Sequence, residues 1–145
     1  MPELWTIGYE RLLPPELVVE LQAAGVERVI DVRFRPQSRR PGMSKTRLGD
    51  LLGAHGIGYE HRKPLGTPPD LRHDFHAGRL EQARAGYRAH VESTAPEALA
   101  ELAAEIERGP RTALLCLEED AAGCHRRVLC EALAERLPAL AVVDL

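Results

Sequence analysis

No stretch of this chain approaches the roughly 20 consecutive apolar residues that cross a bilayer, so a membrane-spanning helix is excluded. Cysteine is sparse. Three residues, an odd number without framework spacing, exclude a disulfide scaffold and suit a reducing, cytoplasmic setting. The opening residues, Met1 to Trp5, show no basic region ahead of an apolar core, so no signal peptide is expected. There is no Walker loop, no G-x-G-x-x-G and no G-x-S-x-G elbow. No cysteine pair has the C-x₂₋₄-C spacing of structural zinc. Neither a metal nor a cofactor is therefore expected. Internal repeats and low-complexity segments are absent as well.

What is present has the ordinary balance of a globular protein, 44% hydrophobic and 28% charged over 145 residues. That length suggests one domain over 1–145, with no need of a covalent staple. The net charge of −3 conceals an asymmetry. Residues 1–27 carry a net −4, residues 28–72 a net +6, and residues 73–145 a net −5. A basic island thus sits in an acidic chain. Seventeen of the nineteen basic residues are arginine, whose planar fork binds phosphate and carboxylate in pairs of hydrogen bonds. Uniform arginine bias also follows from genome composition, so the clustering carries more weight than the ratio.

Strand and helix patterns alternate. Residues 4–7, 26–32, 57–60, 112–117 and 140–143 read as strands, with 26–32 (VERVIDV) and 112–117 (TALLCL) apolar enough to be buried. Pro14-Pro15 opens a helix that ends near Gly25. Ser44 can cap a weak helix carrying Leu48, Leu51 and Leu52. Two helices are predicted with Leu80, Ala83, Tyr87 and Val91 on one face, then from Pro96 to Gly109. A last helix holds Val128, Leu129, Ala132 and Leu133. The stretches 33–46 and 61–78 read as long loops, which are uncommon unless functional or disordered. This alternation predicts an α/β fold: a mainly parallel sheet of about five strands with helices on both faces.

Ligands of such sheets bind beyond the carboxyl ends of the strands. Residues at those ends are therefore the candidates. Asp31 can orient Arg33 through a charge-assisted pair, and Arg33, Arg35, Arg39 and Arg40 can hold a phosphate or a nucleic-acid backbone. The bland alternative is a structural ion pair with solvated neighbours, and Ser38 is more simply a turn residue. Tyr9 and Tyr59 can stack on a base or pack at the rim. After the fourth strand come Cys116, Glu118, Glu119 and Asp120, then Cys124-His125-Arg126-Arg127 at a helix start. A helix N-terminus, a histidine and arginines all lower a thiol pKa, and the thiolate is the nucleophile. His125 can act as general base, Glu118 as acid, base or clamp, and Arg126 as anion donor. Against this, cysteine is often buried and inert, and the basic side chains can pair with the nearby carboxylates. Cys116, Cys124 and His125 are ligand types, but adjacent Cys124 and His125 are expected to diverge on a helix, which argues against a metal. Cys130 reads as core or helix surface.

These two constellations carry a resemblance. The chain is similar to the prokaryotic family known as domain of unknown function number 488. The shared pattern is Thr6-Ile7-Gly8, then Asp31-Val32-Arg33 with Pro36, Ser38-Arg39 and Pro41-Gly42. Gly56-Ile57-Gly58-Tyr59 and Leu65-Gly66 follow, then Leu114-Leu115-Cys116-Leu117-Glu118 and Cys124-His125-Arg126. The resemblance implies an α/β fold and a site built from these motifs, with no established reaction. Two positions depart from the family. Tyr9 stands where a histidine commonly follows the first glycine, and Thr67 replaces a second glycine after Leu65-Gly66.

Three readings of function follow. The first is a phosphate-bearing ligand, nucleotide or nucleic acid, held by Arg33, Arg35 and Arg126. Asp31 and Glu118 would orient the arginines, with Cys124 and His125 beside any reacting group. The second is a thiol enzyme or redox-responsive protein using Cys124, with or without Cys116. The third is a non-catalytic nucleic-acid-binding module using 33–47 and 62–72, which the acidic net charge disfavours. The residue types permit an enzyme without requiring one.

Overall fold

The computed structural model describes residues 2–118 and 123–145. Glu119 and Asp120, named above as candidate carboxylates, lie outside the described residues. Five strands form one parallel sheet: β1 (Glu3–Gly8), β2 (Arg28–Asp31), β3 (Gly58–His61), β4 (Thr112–Cys116) and β5 (Ala141–Asp144), in the order β3-β2-β4-β1-β5. β4 is central, and all five of its residues are buried. Thr112 faces both Leu4 and Arg28, and Leu115 faces both Ile7 and Asp31.

Side chains alternate across this sheet, as the two-residue period of a strand requires. Trp5, Ile7, Val29, Ala113 and Leu115 meet α1 (Pro14–Ala23) and α2 (Lys45–Ala54) through Leu17, Leu21, Leu48 and Leu52. Leu4, Ile30, Leu114 and Cys116 face the opposite way. They meet α3 (Pro69–His76), α4 (Leu80–Thr94), α5 (Pro96–Arg108) and α6 (His125–Arg136). No helix among the described residues is long and apolar enough to cross a membrane.

Two local expectations change. The stretch 61–78 is not a continuous loop, because a 3₁₀ turn at Lys63–Leu65 and α3 occupy most of it. Leu71 and Phe75 are α3's only inward apolar residues, too few to register as a periodic face, while Pro68 and Pro69 supply its start. Ser44 stands at the N-cap of α2 but makes no capping bond. Its hydroxyl accepts the Ser38 N–H at 3.0 Å and donates to the Ser38 carbonyl, so it ties the 38–44 loop instead.

Candidate functional site

The carboxyl ends of β1, β2 and β4 open onto one cleft. Tyr9, Arg33, Cys116, Glu118, Cys124 and His125 line it, together with Phe34, Arg35, Thr67, Arg72 and others. The stretches around 33 and 125, some ninety positions apart, therefore meet. The inner part has a volume of about 40 Å³. That is room for about three waters, hence for a small chemical group. It continues into a wider outer basin of about 280 Å³, which Phe34, Arg35, Thr67 and Arg72 also line, with His73 and His76 beyond them.

Cys124 is the N-cap of α6, with an extended backbone (φ −140°, ψ 159°). Adjacent residues diverge only within a helix. Here the extended cap turns Sγ toward its neighbour, 3.5 Å from His125 Nδ1, which corrects the expected divergence. His125 Nε2 lies 2.7 Å from the Val32 carbonyl, so that nitrogen carries a proton and Nδ1 faces the sulfur. The Tyr87 ring closes edge-on at 5.1 Å.

Arg126 lies behind the sulfurs rather than in the cleft lining. It donates to Thr6 Oγ1 at 3.0 Å and to the Glu118 carbonyl. Burial opposes the Cys124 thiolate, but hydrogen bonding from Cys116 and the charges of His125 and Arg126 hold this thiol well below its ordinary value. Burial and the neighbouring Cys124 push Cys116 well above it. Burial opposes the charge on His125 too. The Cys124 sulfur and the Val32 carbonyl overcome that and raise it. The two arrangements are mutually consistent: a thiolate and an imidazolium stabilise each other, with a guanidinium behind them.

Cys116, Cys124 and His125 place two sulfurs and a ring nitrogen within 4.8 Å of one another, a donor set that suits a soft metal such as zinc. Arg126 acts on the same two sulfurs. Its positive charge favours ionised sulfur.

Asp31 and Arg33 form the second half of the site. Arg33 Nε donates to both Asp31 oxygens (2.9 and 3.1 Å) and Nη2 to Oδ2 (2.7 Å). Nη1 reaches Tyr9 Oη at 3.1 Å and the Met43 carbonyl at 2.7 Å. Asp31 is fully buried and also accepts the Tyr59 hydroxyl at 2.5 Å. Burial, then this hydrogen bond, push the Tyr59 phenol upward. Arg33 thus reaches the cleft with most of its N–H groups committed, and Asp31 and Tyr59 stand behind it.

The basic island is largely spent on the fold. Arg28 and Arg62 pair with Glu105 at 3.1 and 2.5 Å. Arg40 donates to the carbonyls of Tyr9, Glu10 and Leu12. Ser38 Oγ accepts the Arg40 N–H at 3.1 Å. Ser38 and Arg39 are not among the residues that line the cleft, whereas Arg35 lines both of its parts. Glu118 lines the inner part, accepts from Cys116 Sγ at 3.3 Å and lies 3.1 Å from His76 Nε2. Cys130 is buried in the core.

Thr67 and Arg72 entered the sequence reading only within the 62–72 stretch of the nucleic-acid-binding module, and Phe75 was not singled out. Thr67 also registered as a departure from a family pattern, and the other two lie on the overlooked α3. The Pro68-Pro69 pair, of the same kind as the pair opening α1, was the available signal.

A family model described as "Domain of unknown function DUF488" matches residues 15–133. No curated protein and no solved structure matches the chain.

Proposed function

The chain belongs to the DUF488 family, and from that premise we propose that it is a cysteine-dependent enzyme acting on a small, anion-bearing electrophile. The observation that carries this reading is the 3.5 Å approach of Cys124 Sγ to His125 Nδ1, with Nε2 committed to the Val32 carbonyl. In this reading Nδ1 takes the thiol proton. The thiolate then bonds to the electrophilic atom as the bond to the leaving group breaks. The Nδ1–H proton goes to the departing group. Water, deprotonated by the same nitrogen, releases the product and restores Cys124. Cys116 remains a thiol, and Arg126 holds the sulfur's charge. The phosphate-bearing ligand expected from the sequence takes a coarser form here, as an anion facing Arg35 and Arg72.

Alkylation at pH 6.5 tests both halves of the proposal. Cys124 is expected to outpace a free thiol with iodoacetamide, and to prefer the anionic iodoacetate. That preference is lost in the R35Q/R72Q double variant. Labelling no faster than a free thiol, located by peptide mass analysis, ends the proposal.

The closeness of Cys116 to Cys124 favours one further reading, a peroxide-responsive pair. Peroxide oxidises the Cys124 thiolate to a sulfenic acid. Cys116 then displaces its oxygen as water and closes a disulfide. Loss of two hydrogens in the intact mass after peroxide treatment, absent in C116S, distinguishes it.

A further inference from the structure

Thr67 Oγ1 has no hydrogen-bond partner among the described residues, although only 4% of the side chain's residue surface is exposed. A hydroxyl removed from water without a partner is costly, so such an atom needs an explanation. Its position supplies one. Thr67 lines the enclosed part of the cleft and the outer basin alike, and so stands at their junction. The approach of the chain there is tight. A Cβ on Gly66 would lie 2.5 Å from the backbone nitrogen and Cα of Phe34. The missing side chain at 66 therefore seats Thr67 against the 33–35 segment.

Arg35 and Arg72 line the same two spaces. Both are exposed, and neither forms an ion pair with a carboxylate among the described residues. Arg28, Arg33 and Arg62, from the same basic island, are each paired. The cleft mouth thus gathers two uncommitted guanidinium groups around a residue whose buried hydroxyl lacks a partner.

The geometry points to an oxyanion subsite at this junction, where Thr67 Oγ1, Arg35 and Arg72 hold a phosphate of the substrate while its reactive part extends inward to Cys124. The inference rests on the thiolate reading and adds to it the substrate class, a phosphate monoester. Phosphate fits better than carboxylate for two reasons. Two positive charges match a dianion, and donors from three separate residues suit a tetrahedral group rather than a planar one. The enclosed space of about 40 Å³ then holds the few atoms attached to the phosphate. The phosphate is the handle, and the group beyond it reacts.

Thermal denaturation of the full chain with and without inorganic phosphate tests the subsite, with acetate at matched ionic strength as the control. Ligand binding to the folded state raises the melting temperature. The wild type should be stabilised more by phosphate than by acetate. T67V keeps the side chain's shape and removes only the orphaned hydroxyl. It should melt at or above the wild-type temperature without phosphate, and its phosphate-induced rise should be less than half as large. R72Q should lose most of the rise. The subsite is refuted if phosphate gives wild type no rise, if acetate matches it, or if T67V and R72Q respond as wild type does. A T67V protein that melts well below wild type without phosphate also refutes it, because the hydroxyl would then be structural. Failure here leaves the lowered ionisation of Cys124 untouched, and failure of that lowering leaves phosphate binding untouched.

Discussion

Replacing His125 by Asn removes the imidazolium beside Cys124 and keeps a polar group of similar reach. The structure sets the size of the effect. Unit charges 3.5 Å apart interact by about 5 kcal/mol at an effective dielectric of about 20, an upper figure for a site that opens on solvent. Arg126 and the start of α6 still favour the thiolate in the variant, so ionisation shifts to higher pH without disappearing. Thiolate absorbance at 240 nm reads this directly and needs no reagent to enter the cleft. The three cysteines are well separated for the purpose. Cys116 is pushed well above its ordinary value, and burial pushes Cys130 up to about 12, so both stay silent in the acid and neutral range. At pH 7 an unperturbed thiol is only about 3% ionised. Wild type should show more thiolate there than an unperturbed thiol does, C124S should lose that excess, and H125N should give a curve displaced toward alkaline pH. A wild-type absorbance that rises only above pH 8, or an H125N curve that overlays the wild type, refutes the ion-pair argument.

Three further perturbations probe the frame around this pair. D31N leaves the Arg33 guanidinium buried without its counter-charge and should cost about 3–5 kcal/mol in urea denaturation; a loss under 1 kcal/mol contradicts the assignment of Asp31 as the anchor of this segment. G66A forces a methyl group onto the Phe34 backbone and should cost about 1–3 kcal/mol, while also weakening any phosphate response through Thr67. Glu105 is held below its ordinary value, first by its hydrogen bond from Arg62 and further by Arg28. Its contribution is therefore complete above the ordinary carboxylate range and lost as pH falls through the lower folded value. E105Q should be less stable than wild type by about 1–3 kcal/mol at neutral pH, with the gap closing in acid; a gap constant across pH means that the charge on Glu105 is not the cause.

Much of the architecture was legible because burial writes itself into residue choice. All five strands lie within a residue or two of where apolar runs bounded by glycine and proline put them, β2 being shorter at both ends. Helices α4 and α5 follow from their apolar spacing. Helix α3 escaped because a short helix needs only two inward side chains, Leu71 and Phe75, when the rest of its surface faces a cleft. The candidate residues Cys116, Cys124 and His125 could be named from their types and their place at or after the end of β4. Their geometry could not. Whether Cys124 and His125 converge depends on one backbone angle at the N-cap, which neighbouring identities do not determine. The charge pattern was a weaker guide. The island at 28–72 exists, but Arg28, Arg40 and Arg62 use their donors on carbonyls and on Glu105, which residue counts cannot reveal. Thr67 illustrates the limit: a hydroxyl is conspicuous only when nothing is near enough to bond it.

The strand order bears on how the molecule is made. β1 and β2 never touch each other, since both lean on β4, and β4 ends at Cys116 of 145 residues. A growing chain therefore emerges as two separate ribbons, β1 alone and β2 with β3, whose inner edges lack a partner until synthesis is four-fifths complete. Helices α1 and α2 can form locally during that interval, while the apolar faces of β1 and β2 wait uncovered. Cys124 follows the central strand by only eight positions. The paired Cys124–His125 cap and closure of the sheet therefore arrive in the same short stretch of translation, and a truncated product lacking that stretch has neither.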